Sequence, residues 1–265
     1  MPELSPLAAS VRQHDPDRFL CALFAPPERR ETLLLLYAFN HELARAREVT
    51  REPTLALIRL QWWREVVLGA DRFHEVATPL AAALRDGRLE AGDLLAMIEG
   101  REPETEPEMP TLRAFEDYVE GSAGALAAAA GRVLGADGAT RERLRALGAA
   151  YGVAGQIRSV APLLGQRRCL LPADLLAGHG LTPDSLVSRP DDARLPGALR
   201  DLAAAGLRLW TRGRGRFARV AVAAALPGVL GGRDLQRAAR SRPQPHPRRL
   251  GDRLAVLVAA ARGRV

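Results

Sequence analysis

With 265 residues, 47% of them hydrophobic, the chain is long enough for one large domain or two small ones built on a buried core. Aromatic residues make up only 5%, β-branched runs are scarce, and Ala, Leu, Arg and Glu dominate, a mixture that favours helix and argues against a strand-rich fold. Thirty-eight basic residues, every one an arginine, stand against 31 acidic ones; the resulting +7 gives a weak pull toward acidic partners and no signature of a nucleic-acid binder.

In chain order, the first 19 residues show no basic region followed by an apolar stretch, so no signal peptide is expected. Pro26 and Pro27 precede a helical run from Glu28 to about Thr50, and Pro53 opens another through Leu68. Thr78 with Pro79, and Thr182 with Pro183, each place a capping hydroxyl before a proline that tolerates the first helical position. Loops are expected at 101–110, 188–197 and 241–249, and helical patterns resume on both sides of each. One all-α domain spanning 1–265, with about eight or more helices and no internal repeat, is the expectation. The richest apolar stretch, from Val220, is short and interrupted by Pro227, so no membrane span is expected. Cys21 and Cys169 are far apart and lack a CxxC spacing, which suits a reducing cytoplasm.

On a helix, positions i, i+4, i+7 and i+11 share a stripe. From Tyr37 that stripe is Tyr37, His41, Ala44 and Glu48; in AAYGVAGQIRSVAPLL the parallel set is Gly152, Gln156, Ser159 and Leu163. Two such stripes facing one another would line a central cavity, which the small residues Ala44, Gly152, Gly155 and Ser159 keep open and largely apolar.

The segments YAFNHELARARE, LQWWRE, IEGRE, YVEGSAGAL, GVAGQIRS and RRCLLPADLL occur in the order of the signature segments of the squalene and phytoene synthase family, and the chain resembles that family over residues 15 to 180. The resemblance implies an all-helical isoprenoid-synthase fold in which two aspartate-rich motifs face each other across the cavity and hold magnesium, which holds prenyl diphosphates. Here the first motif, DDxxD in the family, is Ala44, Arg45, Ala46, Arg47 and Glu48. The second begins with Gly152, Ala154 and Gln156 but continues with Ser159 and Leu163, and no acid lies between Gly152 and Pro172. Pro162 predicts a kink or an end to that helix about one turn early. Magnesium needs several oxygen ligands, and Arg45 and Arg47 would repel it while attracting phosphate. The sequence therefore predicts no resident metal, no other cofactor and no catalytic residue. The pattern resembles a divergent branch that includes mitochondrial complex I assembly factors, which implies an assembly or binding role near a membrane.

The residues expected to meet a prenyl-like ligand are Tyr37, His41, Arg45, Glu48, Gln156, Ser159 and Arg168. Each has a plainer reading: a packed histidine at His41, a helix-to-helix hydrogen bond at Gln156, and solvation or pairing with Asp174 at Arg168. Trp62 and Trp63 read as packing residues, with Arg64 and Glu65 outside. Residues 208–219, RLWTRGRGRFAR, read as a solvated arginine face over an apolar stripe, suited to a membrane surface or an acidic protein partner and lacking any nucleic-acid motif. The C-terminal arginines either serve that attachment or pair with Asp191, Asp192, Asp201, Asp234 and Asp252. Localisation is expected to be cytoplasmic, peripheral at the inner face of the membrane. The rival reading is an active head-to-head prenyltransferase whose magnesium is held by Glu42, Glu48, Glu102 and Glu104; a third is a carrier that holds a prenyl chain without reacting it.

Overall fold

The computed structural model describes residues 4–48, apart from the side chain of Glu48, together with 52–240 and 248–265. The chain opens with α1 (Pro6–His14), α2 (Pro16–Ala22) and the long α3 (Pro27–Glu48), followed by α4 (Pro53–Val67), α5 (Ala77–Arg85) and α6 (Ala91–Glu99). A 3-10 turn at Glu102–Thr105 leads to α7 (Leu112–Val119), which passes through one π-helical turn, Glu120–Gly124, into α8 (Ala125–Val133). Then come α9 (Gly138–Gly165), α10 (Ala173–Ala177), α11 (Pro183–Ser188), α12 (Leu195–Gly213), α13 (Val222–Ala225), α14 (Pro227–Arg240) and α15 (Leu250–Arg262). The described residues contain two isolated β-bridges, Met109 with Pro172 and Arg216 with Arg264, and no strand.

Helix starts follow their capping chemistry. Ser5 accepts a hydrogen bond from the Ala8 N–H at 3.1 Å, Asp15 from the Arg18 N–H at 3.0 Å and Asp137 from the Thr140 N–H at 2.7 Å. Thr182 and Ser185 form a reciprocal cap at α11, as the Thr-Pro pair predicts. The other Thr-Pro pair behaves differently: α5 already starts at Ala77, and the Thr78 hydroxyl accepts from the His74 N–H at 3.3 Å, tying the preceding turn.

Helix α9 is the central member, packed by α8, α12, α14 and the π-helical turn. A Cβ added at Gly152 would stand 2.9 Å from the Ala123 Cβ, so Gly152 serves helix packing and does not open a cavity as expected; Gly155, with only Arg158 Nη2 within 4 Å (3.9 Å), faces open space. Nor does α9 end at Pro162. It runs to Gly165, because a proline in the last turn removes only the single bond to the Arg158 carbonyl. The stop comes at Arg167, in the left-handed region at φ 59°, with the Arg168 N–H on the Leu163 carbonyl and the Arg167 N–H on the Leu164 carbonyl, both at 2.9 Å.

The arginine-rich stretch 208–219 is also not one helix. α12 stops at Gly213; Arg208 pairs with Glu116 at 3.6 Å and Arg212 with Glu120. Phe217 is buried, with the Arg143 guanidinium 4.4 Å over its ring, and Arg214 lies 5.0 Å from the Trp210 ring centroid. Much of this charge is turned back onto the protein.

Candidate functional site

The two helices that carry the motif positions, α3 and α9, are joined by a chain of polar side chains. Arg101, just beyond α6, donates through Nη2 to Asn40 Oδ1 at 2.9 Å and through Nη1 to Glu104 Oε1 at 2.7 Å. The Tyr118 hydroxyl donates to the same Glu104 oxygen at 2.7 Å, and Gln156 Nε2 donates to the Tyr118 hydroxyl at 3.0 Å. Arg47 Nε reaches the Glu104 carbonyl at 3.2 Å. Asn40, Glu104 and Tyr118 are buried, so these groups have exchanged water for one another. Burial pushes the Tyr118 phenol well above its ordinary range and the Glu104 charge pushes it further; burial opposes the Arg101 charge, but Glu104 outweighs it and keeps the guanidinium ionised.

The loop that supplies Glu104 is anchored at its far end. The Ala173 N–H donates to the Met109 carbonyl at 2.8 Å, and Asp174 accepts from the Leu112 N–H at 2.8 Å, so the CLLPAD turn is tied to the end of the 101–110 loop.

Of the residues expected at a ligand site, Gln156 joins this chain, and Arg168 acts electrostatically on Tyr118. Gln156 and Arg168 share a void of about 10 Å³ with Leu163, Leu164 and Cys169, too small for a prenyl chain. Ser159 is half-buried on the same helix. Tyr37 is buried near Arg18, whose guanidinium lies 5.9 Å from the Tyr37 ring centroid and 4.7 Å from that of Tyr151; burial drives the Tyr37 phenol above its ordinary range. His41 is half-buried and stacks on His14 of α1, 4.3 Å between centroids and 18° between planes, and burial followed by the neighbouring His14 lowers its pKa. Arg45 donates to Glu42 Oε1 at 3.1 Å. The Glu48 side chain lies outside the described residues. Tyr37 and His41 thus face α1 and α2, Gln156 faces α7, and Arg45 stays with Glu42 on α3.

Three of the four carboxylates in the magnesium set of the rival reading already carry partners. Glu42 carries Arg45, Glu102 carries Arg64 at 2.7 Å, and Glu104 carries both Arg101 and Tyr118. Among the described residues no three His, Cys, Asp or Glu side chains are grouped to hold a metal ion. A divalent cation at any of these carboxylates would have to displace a guanidinium already at contact distance.

Sequence reading missed Asn40, Arg101 and Tyr118 as site residues, although IEGRE and YVEGSAGAL contain the last two. Two further features flank the site. Trp62 and Trp63 pack edge to face with centroids 4.8 Å apart and, with Glu42, Ile58, Arg59 and His74, line a pocket of about 310 Å³. On the other side Asp17 accepts from Arg248 Nη2 at 2.6 Å and from the Tyr151 hydroxyl at 3.0 Å; Asp234 takes Arg248 at 2.8 Å, Arg237 at 3.1 Å and Arg158; Asp252 takes Arg233 at 2.8 Å and Arg237. The reading in which the C-terminal arginines pair with aspartates therefore holds at Asp234 and Asp252, whereas Asp192 takes Arg194, upstream of those arginines, at 2.8 Å.

This architecture is that of the helical isoprenoid synthases, and alanine and arginine, Ala44 and Arg45, stand at the first two positions of the first motif. It superposes on squalene synthase HpnC from Alicyclobacillus acidocaldarius with a TM-score of 0.71 at 18% identity, covering 87% of this chain and 90% of that one. It also superposes on a dehydrosqualene synthase solved with a ligand, with a TM-score of 0.77 at 13% identity, covering 96% and 94%. The squalene/phytoene synthase family model matches residues 11–256, and the chain belongs to that family. It is a divergent member that lacks both aspartate-rich motifs. Its sequence is 28% identical over 201 residues to the NADH dehydrogenase (ubiquinone) complex I, assembly factor 6, of Rattus norvegicus, covering 73% of this chain and 60% of that protein. The Homo sapiens protein of the same name is 26% identical over 199 residues, with the same coverage. The chain thus spans about 60% of the length of these relatives.

Proposed function

We propose that this protein is a non-catalytic member of the family that assists assembly of a respiratory complex of the complex I type, working at the membrane surface. Any prenyl lipid it takes is held without being reacted. The observation that carries this reading is the chain Asn40, Arg101, Glu104, Tyr118, Gln156, which commits the buried Glu104 carboxylate between the two motif helices to a guanidinium and a phenol. The similarity to proteins named complex I assembly factor 6 supports the assembly half of the proposal. None of the described helices is long and apolar enough to cross a membrane, which agrees with peripheral placement at the inner face of the cytoplasmic membrane. The pocket beside Trp62 and Trp63 has the size of a small-ligand site and one apolar wall, and is where we place a held prenyl chain.

Two measurements test the reading. Purified protein with magnesium and farnesyl or geranylgeranyl diphosphate is expected to give no squalene- or phytoene-type product; product that disappears in Glu48→Ala would establish the rival enzyme. Affinity purification from native membranes is expected to recover complex I subunits, and their consistent absence would refute the assembly role.

A further inference from the structure

The outward face of α15 is the reverse of what a surface helix normally shows to water. Leu250, Leu254, Leu257 and Val258 are 73%, 50%, 47% and 47% exposed, and their spacing gathers them into one stripe. The inward face is secured. Val256 and Ala259 are buried, and the fully buried Asp252 accepts from Arg233 Nε at 2.8 Å and from the Arg249 N–H at 3.1 Å. Beyond the helix end, the Phe217 N–H donates to the Gly263 carbonyl at 2.9 Å and the Val265 N–H to the Gly215 carbonyl at 3.0 Å. The helix is fastened at both ends with its leucines turned outward.

The charges around this stripe have one sign. Arg253 and Arg262 stand roughly a quarter turn to either side of it. Arg264 follows just past the helix, and all three are exposed. The only acid from 248 to 265, Asp252, points inward. Beside the stripe a groove of about 290 Å³ brings Arg233, Arg262 and Arg264 together with Val258 and Trp210, and no acid lines it. An acidic protein would match the charge alone. A bilayer with anionic headgroups matches both the apolar stripe and the flanking cations, whose long stems let the guanidinium reach the phosphate layer while the leucines enter the acyl boundary.

We infer that α15 is the element that docks this protein on an anionic lipid surface, with Leu250, Leu254, Leu257 and Val258 in the acyl boundary and Arg253, Arg262 and Arg264 on lipid phosphates. The inference rests on the peripheral placement proposed above and not on the assembly role or the absence of catalysis. It also narrows the membrane contact from the C-terminal arginines as a whole, 208–264, to α15.

Sedimentation of the whole 265-residue chain with vesicles at low salt tests it. Vesicles of equal parts phosphatidylglycerol and phosphatidylcholine are expected to capture the protein, and vesicles of phosphatidylcholine alone to capture at least tenfold less. Each arginine on the surface is worth about fivefold in partitioning, so Arg253→Glu with Arg262→Glu should abolish capture. Leu254→Ser with Leu257→Ser should lower it at least tenfold. All four side chains are exposed, so the thermal unfolding curve should not move, and Arg85→Glu on α5 should leave capture unchanged. Equal capture by neutral vesicles, or wild-type capture by both α15 variants, would overturn the proposal. So would a self-associated protein that Leu254→Ser with Leu257→Ser converts to monomer, which would assign the stripe to a second copy of the chain. Because these vesicles hold neither prenyl lipid nor protein, loss of capture bears on α15 alone, whereas failed recovery of complex I subunits with capture intact bears on the assembly role alone.

Discussion

Gly100 and Gly121 touch backbone to backbone: a Cβ built on Gly100 would lie 2.1 Å from the Gly121 carbonyl oxygen, and one built on Gly121 would lie 3.3 Å from the Gly100 Cα. This contact joins the end of α6 to the π-helical turn, and so places Arg101 and Tyr118, the residues that hold Glu104, on adjoining backbones. Because the clashing atom is a carbonyl oxygen and no flexible side chain, Gly100→Ala should destabilise the protein by at least about 2 kcal/mol. Urea unfolding checks this; a midpoint within error of wild type would show that the two segments can separate freely.

Glu104 should be worth more to stability than an exposed acid of the same chain. Its side chain is 8% exposed and that of its partner Arg101 14%, so Glu104→Gln leaves a buried guanidinium without its counter-charge and should cost roughly 3 kcal/mol. Tyr118→Phe removes the hydroxyl that both donates to Glu104 and accepts from Gln156, and should cost about 1–3 kcal/mol. A double-mutant cycle between the two, read by chemical denaturation, should show strong coupling; additive effects would mean that they do not share one network.

Helix content and the loss of metal ligands were both legible in the sequence, because each depends on local residue identity: the 3.6-residue spacing of apolar positions, and arginine or alanine where a carboxylate would stand. The polar chain that joins the two motif helices was not. Arg101 and Glu104 lie about 60 residues from Asn40 and about 50 from Gln156, and only the folded chain shows that the short IEGRE and YVEGS segments meet through their glycines. His14 over His41 was missed for the same reason, since the stacking partner comes from α1. Pro162 misled in the other direction: the proline rule is local, but its cost is small in the last turn of a 28-residue helix that is packed along its length.

Acid should unfold the protein through the aspartates between α2, α14 and α15. Burial raises Asp17 and Asp252, but hydrogen bonds from Arg248 on the first, and from Arg237 and Arg233 on the second, outweigh it, so both carboxyls titrate below their ordinary range. A depressed native pKa means that the unfolded chain binds the proton more readily. The stabilisation is therefore complete above the ordinary carboxylate value of about 3.9 and is lost as pH falls through the lower native values. Thermal melts should show Tm dropping steeply below about pH 4. Asp252→Asn should lower Tm at neutral pH and flatten that slope. His41, also lowered by burial, adds a smaller loss at higher pH, as pH falls below about 6.5. A slope unchanged in Asp252→Asn would place the acid-sensitive groups elsewhere.

The end of α9 provides the last prediction, one of increased stability. Arg167 holds φ at 59°, a conformation in which an L side chain crowds the following carbonyl, and it is the only described non-glycine residue to do so. Its side chain is exposed, so replacing it loses no burial. Glycine removes the crowding, worth roughly 1–2 kcal/mol, and gives back about 0.5–1 kcal/mol through the greater freedom of the unfolded chain. Arg167→Gly should thus raise stability by up to about 1.5 kcal/mol, while Arg167→Val, whose branched Cβ tolerates this region worse, should lower it by about 1 kcal/mol. The ordering glycine above arginine above valine in denaturant midpoint is the test. Three equal midpoints would show that the turn relaxes out of the left-handed region in solution, and that the two hydrogen bonds onto Leu163 and Leu164 do not hold it there.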